Sequence, residues 1–190
     1  MIIKTIRLVF SLIFFSTCLF AQNIFIKNIT KNDFSELKST VGPQNWDLAQ
    51  DTLGRIWVAN TSAVLLFDGV NWSAVKGTEY KDIRNFVVSN DNIIYAGGEN
   101  DIGYFTQNER GQTMFASIMH LLEEGNEKIG TVHSVATHNG AVFFKTRDFL
   151  LKYQNDSIQQ WKFKSKQNLL SAVHNGILFQ NDPVFNQHFD

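Results

Sequence analysis

Few residues in this sequence have the types that chemistry needs, and most of those read as structure. Asp51 stands three residues before Gly54 and six before Trp57. A short carboxylate beside a turn glycine caps backbone N–H groups as an Asx turn does, and structural punctuation is the reading of Asp51. Arg55, Arg84, Arg110 and Arg147 are spread along the chain without a shared motif. His133 and His138 are five apart, which puts them on opposite faces of a strand, and no nearby cysteine or carboxylate completes a metal set. They read as turn and surface residues. Gly97-Gly98-Glu99 follows a strand pattern, but no helix pattern follows to present a phosphate-binding terminus. Trp57, Trp72 and Trp161 have faces that stack on a sugar, although strand tryptophans more often pack between sheets, where burying a large side chain is worth about 1.5 to 3 kcal/mol. No catalytic, cofactor-binding or metal-ligating residue is assigned, the ligand-binding residues are unknown, and the chain reads as no enzyme.

The elements that carry these residues are strands. The chain is rich in aromatic and β-branched residues, has two prolines, and is punctuated by Asn, Asp and Gly, as an all-β domain with tight turns is written. Arg55-Ile56-Trp57-Val58-Ala59 and Ala63-Val64-Leu65-Leu66-Phe67 are almost continuously apolar, which suits strands covered on both faces. Asn71-Trp72-Ser73-Ala74-Val75 alternates, which suits an outer strand.

The pattern then repeats. "LAQDTLGRIWVANTSAVLLFDGVNWSAV" aligns with "NFVVSNDNIIYAGGENDIGYFTQNERGQTMFASI", with "SVATHNGAVFFKTRDFLLKYQNDSIQQWKF" and with the start of a fourth copy, "SAVHNGILFQ". In each, an apolar strand meets a polar turn and a second strand follows: Ile56 to Ala59, Ile93 to Ala96, Ala141 to Lys145 and Ile177 to Gln180. In the first three, a third strand ends in an aromatic before another turn. A period of about 40 residues is that of four-stranded propeller blades. The expected fold is therefore an incomplete β-propeller with about three and a half blades, near 44–80, 83–118, 132–165 and 168–190. Ser117 to Lys128 interrupts the period, with Ile118, Leu121 and Leu122 spaced as a short amphipathic helical turn. It is either a docking element or a loop packing its apolar residues onto a blade edge.

The first residues address the chain. Lys4 and Arg7 precede an apolar run, Leu8 to Phe15, and then a smaller segment ending at Ala21, which reads as a secretory signal peptide over 1–21 with cleavage after Ala21. A lipid anchor on Cys18 is the competing reading. The remaining 22–190 carry 15 basic against 18 acidic residues and no cysteine. That balance excludes a disulfide framework and gives no basic stripe to track a phosphate backbone, so no nucleic-acid partner is expected.

On Pro43-Gln44-Asn45-Trp46, Gln50-Asp51, Gly54-Arg55-Ile56-Trp57-Val58, Phe67-Asp68-Gly69 with Trp72, and Ile93-Ile94-Tyr95-Ala96-Gly97 with Ile102-Gly103-Tyr104-Phe105, the sequence resembles the two-component regulator propellers. These are periplasmic ligand-binding sensor domains of bacterial one-component and hybrid two-component receptors. The resemblance implies a periplasmic or secreted location, an extracellular small-molecule or oligosaccharide ligand, further C-terminal blades, an output domain and a homodimer of the whole receptor. Because the sequence ends at Asp190 inside the fourth copy, the expectation is the N-terminal portion of such a receptor, with a ligand site completed by blades beyond it. A scaffold propeller that binds only protein is the alternative. A propeller glycosidase is the remote one: Asp51, Gly54 and Trp57 resemble the aspartate box of sialidases, but that box places its glycine two residues after the aspartate.

Overall fold

A computed structural model of the chain describes residues 41–123 and 128–163, and the backbone of two further strands. The signal segment, the Ala21 cleavage point and Cys18 lie outside the described residues.

Three four-stranded antiparallel sheets follow one another along the chain. The first is β1 (Asn45–Gln50), β2 (Ile56–Asn60), β3 (Ala63–Phe67) and β4 (Trp72–Ala74). The second is β5 (Ile83–Val88), β6 (Ile94–Gly98), β7 (Ile102–Gln107) and β8 (Thr113–Ser117). The third is β9 (Val132–His138), β10 (Ala141–Thr146), β11 (Phe149–Gln154) and β12 (Ser157–Lys162). β13 (Ser171–His174) and β14 (Ile177–Gln180) pair as a further hairpin. Every sheet is a simple meander in chain order, because the connections inside it are short polar turns. Asn155 and Asp156 both take left-handed backbone, φ 51° and 54°, as a two-residue hairpin turn between antiparallel strands requires. Asp68 and Asn108 close the corresponding turns differently, each Oδ1 accepting two backbone N–H groups that follow it.

The sheets stack face to face. The first strand of each sheet meets the first strand of the next, β1 on β5, β5 on β9 and β9 on β13, so these are the inner strands. Consecutive four-stranded meanders packed in this way are blades of a β-propeller, and the all-β fold expected from the repeat is the fold observed. Two apolar layers hold it together. One sits between the first two sheets and contains Trp57, Ala59, Val64, Ile83, Phe86, Ile94, Ala96 and Phe105. The other sits between the second and third and contains Ile102, Val132, Val142, Phe144 and Leu151. β6 serves both: Ile94 and Ala96 face the first layer, and Tyr95 between them packs on the second. That is why its sequence is apolar without alternation. Val58 and Leu65, on the opposite face of the first sheet, are buried as well, as are Phe143 and Leu150 on that of the third.

Close approach of the inner strands depends on what faces them. A Cβ on Gly97 would lie 2.5 Å from Val132 Cγ1, so only glycine lets the third sheet pack at this distance. Side chains also tie inner strands together. The Phe86 N–H donates to Asp47 Oδ2 at 2.8 Å, and Asn85 Nδ2 donates to the Val132 carbonyl at 2.8 Å. Of the segment read as an amphipathic helical turn, the described part forms a single 3₁₀ turn, Met119–Leu121, after buried Ile118. Met119, Leu121 and Leu122 pack on the second apolar layer, as a loop laid on a blade edge does.

Candidate ligand-binding site

The Asp51 turn is structural. Oδ1 accepts from the Leu53 and Arg55 N–H groups at 3.0 and 2.9 Å, and Oδ2 accepts from Arg55 Nε at 2.6 Å and Trp57 Nε1 at 3.0 Å. The Asp51 carboxylate thus spends four accepted bonds on its own hairpin. Trp57, 2% exposed, packs its ring 4.9 Å from that of Phe105. It is inter-sheet packing, while Trp72 stacks on Phe67 and Trp161 packs against the layer of Phe143 and Leu150. Burial raises the pKa of Asp51, but the hydrogen bonds from Trp57 and Arg55 and the Arg55 charge outweigh it and leave it below the ordinary value. A carboxyl whose folded pKa is lowered stabilises the fold above its unfolded pKa, and that stability is lost as pH falls through the folded value. Denaturant midpoints measured from roughly pH 6 down to pH 2 are expected to fall, and Asp51→Asn is expected to flatten the acid limb.

Among the described residues, a cleft of about 510 Å³ runs along β12, lined by Phe149, Ile158 and Trp161 among others, and two further regions are open to a ligand. At the hairpin-turn end of the sheets, a cleft of about 510 Å³ lies between the second and third blades, lined by Asn90, Asp91, Tyr95, His138 and Asn139 among others. The Tyr153 hydroxyl, behind it, donates to Asp156 Oδ1 at 2.8 Å. Burial first, and the charge of Asp156, hold the Tyr153 phenol far above its ordinary value; burial likewise raises Tyr95. Both stay protonated donors, and the Tyr95 ring lies 5.9 Å from that of Tyr104 and 6.0 Å from that of Tyr153.

The opposite end carries a more regular arrangement. Asn45 pairs with Asn60 and Asp47 with Ala59, so Trp46 is an extra residue on β1. Ile83 pairs with Gly98 and Asn85 with Gly97, so Arg84 is extra on β5. Val132 pairs with Thr146 and Ser134 with Lys145, so His133 is extra on β9. β1, β5 and β9 therefore each have a β-bulge at the second residue, on the same rung. Bulges re-aim side chains and are common beside binding sites. Trp46 is 39% exposed, His133 is exposed and Arg84 is half-buried. The Arg84 guanidinium lies 4.6 Å from the centroid of the Trp46 ring, a cation–π contact.

Fixed charges hold this row in place. Arg84 donates through Nε at 2.9 Å and Nη2 at 2.5 Å to Asp82 Oδ2. That bond raises its pKa against the effect of burial, with the charges of Asp82 and Glu99 adding to it. Burial, then the charges of Lys145 and Arg84 and more weakly Arg147, hold the His133 imidazole below its ordinary value against the opposing pull of Glu99. At neutral pH it is a neutral ring that donates at one nitrogen and accepts at the other. The aromatic face, the planar cation and the imidazole are what recognition of a polyhydroxylated ring uses. Among the described residues no group of three His, Cys, Asp or Glu side chains is placed to hold a metal.

The sequence reading placed His133 and His138 at turn and surface positions. His133 is exposed on the bulge rung at one end, and His138 stands directly before the turn at Asn139 and Gly140 and lines the cleft at the other. It passed over Trp46 and Arg84 as a pair, although they are in contact.

The class the fold defines is the β-propeller. No family model matches the chain, and no curated protein sequence matches it. Among solved structures, selenomethionine-substituted virginiamycin B lyase from Staphylococcus aureus is similar with a TM-score of 0.49 and 12% identity, over 66% of this chain and 44% of that one. A streptogramin B lyase gives 0.48 and 14%, over 64% and 41%. Catalytically inactive virginiamycin B lyase from Staphylococcus aureus with quinupristin gives 0.49 and 15%, over 65% and 43%. The chain spans less than half the length of these structures. They are structures of enzymes, and the reading of the chain as no enzyme is corrected on that finding.

Proposed function

We propose that the chain is the N-terminal part of a periplasmic ligand-sensing propeller, responsive to a glycan, in a receptor that regulates transcription. The resemblance to two-component regulator propellers suggests the class. The observation that supports it most is the rung of bulges, which sets Trp46, Arg84 and His133 on three successive inner strands at one end. Core packing gives no reason to keep such residues there, because each stays at least partly in contact with solvent. Pyranose rings stack on an indole face, and hydroxyl groups bond guanidinium and imidazole nitrogens.

The test is titration of the chain with a panel of oligosaccharides, read by the NMR shift of the Trp46 indole N–H and by thermal melting. Because Trp46, Arg84 and His133 all lie on described strands, one saturable ligand is expected from this chain alone, in place of a site completed by further blades, with its rise in Tm abolished in Trp46→Ala and kept in Trp161→Phe. A Kd of about 1 mM with about 10 mM free glycan adds about 1.4 kcal/mol of stability, enough to read as a rise in Tm. A panel that moves neither signal would overturn the proposal, and would favour a scaffold that binds only protein.

A further inference from the structure

We infer that the rung of Trp46, Arg84 and His133 takes a carboxylated sugar, a hexuronate residue of an acidic glycan, rather than a neutral one. This rests on the reading of the chain as glycan-binding and adds the chemical class of the ligand. Three features carry it.

The first is the free fork of Arg84. Its side-on donors, Nε and Nη2, both go to Asp82 Oδ2, and among the described residues no hydrogen bond uses Nη1. A guanidinium has a second, end-on edge, formed by Nη1 and the other hydrogen of Nη2, which matches a carboxylate with two parallel bonds. Asp82 and the Trp46 ring fix the plane of that edge beforehand, so little ordering is left to the binding event.

The second is local charge. The chain as a whole carries a formal net charge of −1, yet Arg84, Lys145 and Arg147 all act on His133, opposed there only by Glu99. Lys145 pairs with Ser134, next to the bulge, and Arg147 lies in the turn that follows β10 at the same end. Arg84 is paired with Asp82 and Lys145 is buried, so the draw on an anion centres on the second edge of Arg84, with Arg147 at the same end.

The third is the aromatic neighbour. Sulfate or phosphate alone would use the guanidinium and leave Trp46 without a role, whereas a uronate has a ring to stack and a carboxylate to pair. Its hydroxyls suit His133, whose neutral imidazole both donates and accepts.

The experiment compares a glucuronate-terminated disaccharide with the glucose-terminated disaccharide of the same linkage, titrated against the chain and read by the Trp46 indole N–H. The acid is expected to bind about tenfold more tightly, and the difference is expected to shrink as salt is raised. Arg84→Gln is expected to weaken both sugars and to remove the preference between them, and Arg84→Lys to restore part of that preference, because charge returns without the fork. If Arg84→Gln does not fold, the salt dependence of the preference in the unaltered chain still decides. Equal binding of the two sugars, or a preference that survives Arg84→Gln, overturns the inference and leaves the glycan reading standing. No binding of either sugar overturns both.

Discussion

Asp51→Ala is expected to destabilise the chain by about 3 to 5 kcal/mol, the cost of breaking a buried ion pair by removing one partner. The carboxylate accepts from two backbone N–H groups, the Arg55 guanidinium and the Trp57 indole, and the substitution strands all four donors. Water can reach Arg55, whose side chain is 25% exposed, but not the ring of Trp57, which is 2% exposed. A buried N–H left unpaired costs about 1 to 3 kcal/mol by itself. Asp51→Asn fills the same volume and keeps Oδ1, yet turns an amide N–H₂ toward two donors, so it should recover less than half of the loss. Urea denaturation followed by tryptophan fluorescence separates the two variants. A loss under about 1 kcal/mol for Asp51→Ala would mean that the turn does not depend on its carboxylate.

Gly98→Ala comes next, with an expected cost of about 3 kcal/mol, at the upper end of what overpacking a core usually does. Its Cβ would sit 2.2 Å from the Asp82 carbonyl oxygen, 2.8 Å from that carbonyl carbon and 2.9 Å from Ile83 Cα. All three are backbone, so no side chain can swing aside. The only relief is to move the strand entry at 82–83, and that breaks the bond from the Glu99 N–H to the Asp82 carbonyl. The same shift displaces Asp82 from Arg84, so the glycan affinity proposed for the rung should fall along with stability. Gly111→Ala is the control for an added methyl group in open space, since no atom lies within 4 Å of its Cβ, although its φ of +70° adds its own strain. Equal melting temperatures for Gly98→Ala and the unaltered chain would contradict the packing described here.

The blades were legible because their grammar is local. Alternation, Asx turns and Asn or Gly at left-handed positions are written within a few residues, and β6 reveals its two covered faces by an unbroken apolar run. The candidate site was not legible, for two physical reasons. A bulge is defined by the partner strand: the extra residue shows only when Asn45 and Asp47 are seen opposite Asn60 and Ala59. The three bulge residues also differ in type, so self-comparison does not align them, and the copies as compared begin at Leu48, Asn85 and Ser134, just after the rung. One signal was present. Trp46, Arg84 and His133 each precede a short polar residue, Asp47, Asn85 or Ser134, ahead of the first apolar strand. Arginines read as scattered in sequence also carried no hint that Arg84 and Arg147 act on one imidazole.

The contact of Gly97 with Val132 bears on how such a ring can be assembled or rearranged. At the rung where Gly97 stands opposite Asn85, the first sheet has Ala59 opposite Asp47. Ala59 suits its own neighbour, packing in the layer that holds Ile83. Set in front of the third sheet, its methyl group would occupy the space that Val132 needs, 2.5 Å from Cγ1. The seams are therefore keyed one by one, and the modules cannot be shuffled: a genome that duplicates the first blade next to the third, or an engineer who permutes them, must recut the key at that rung before the joint will close.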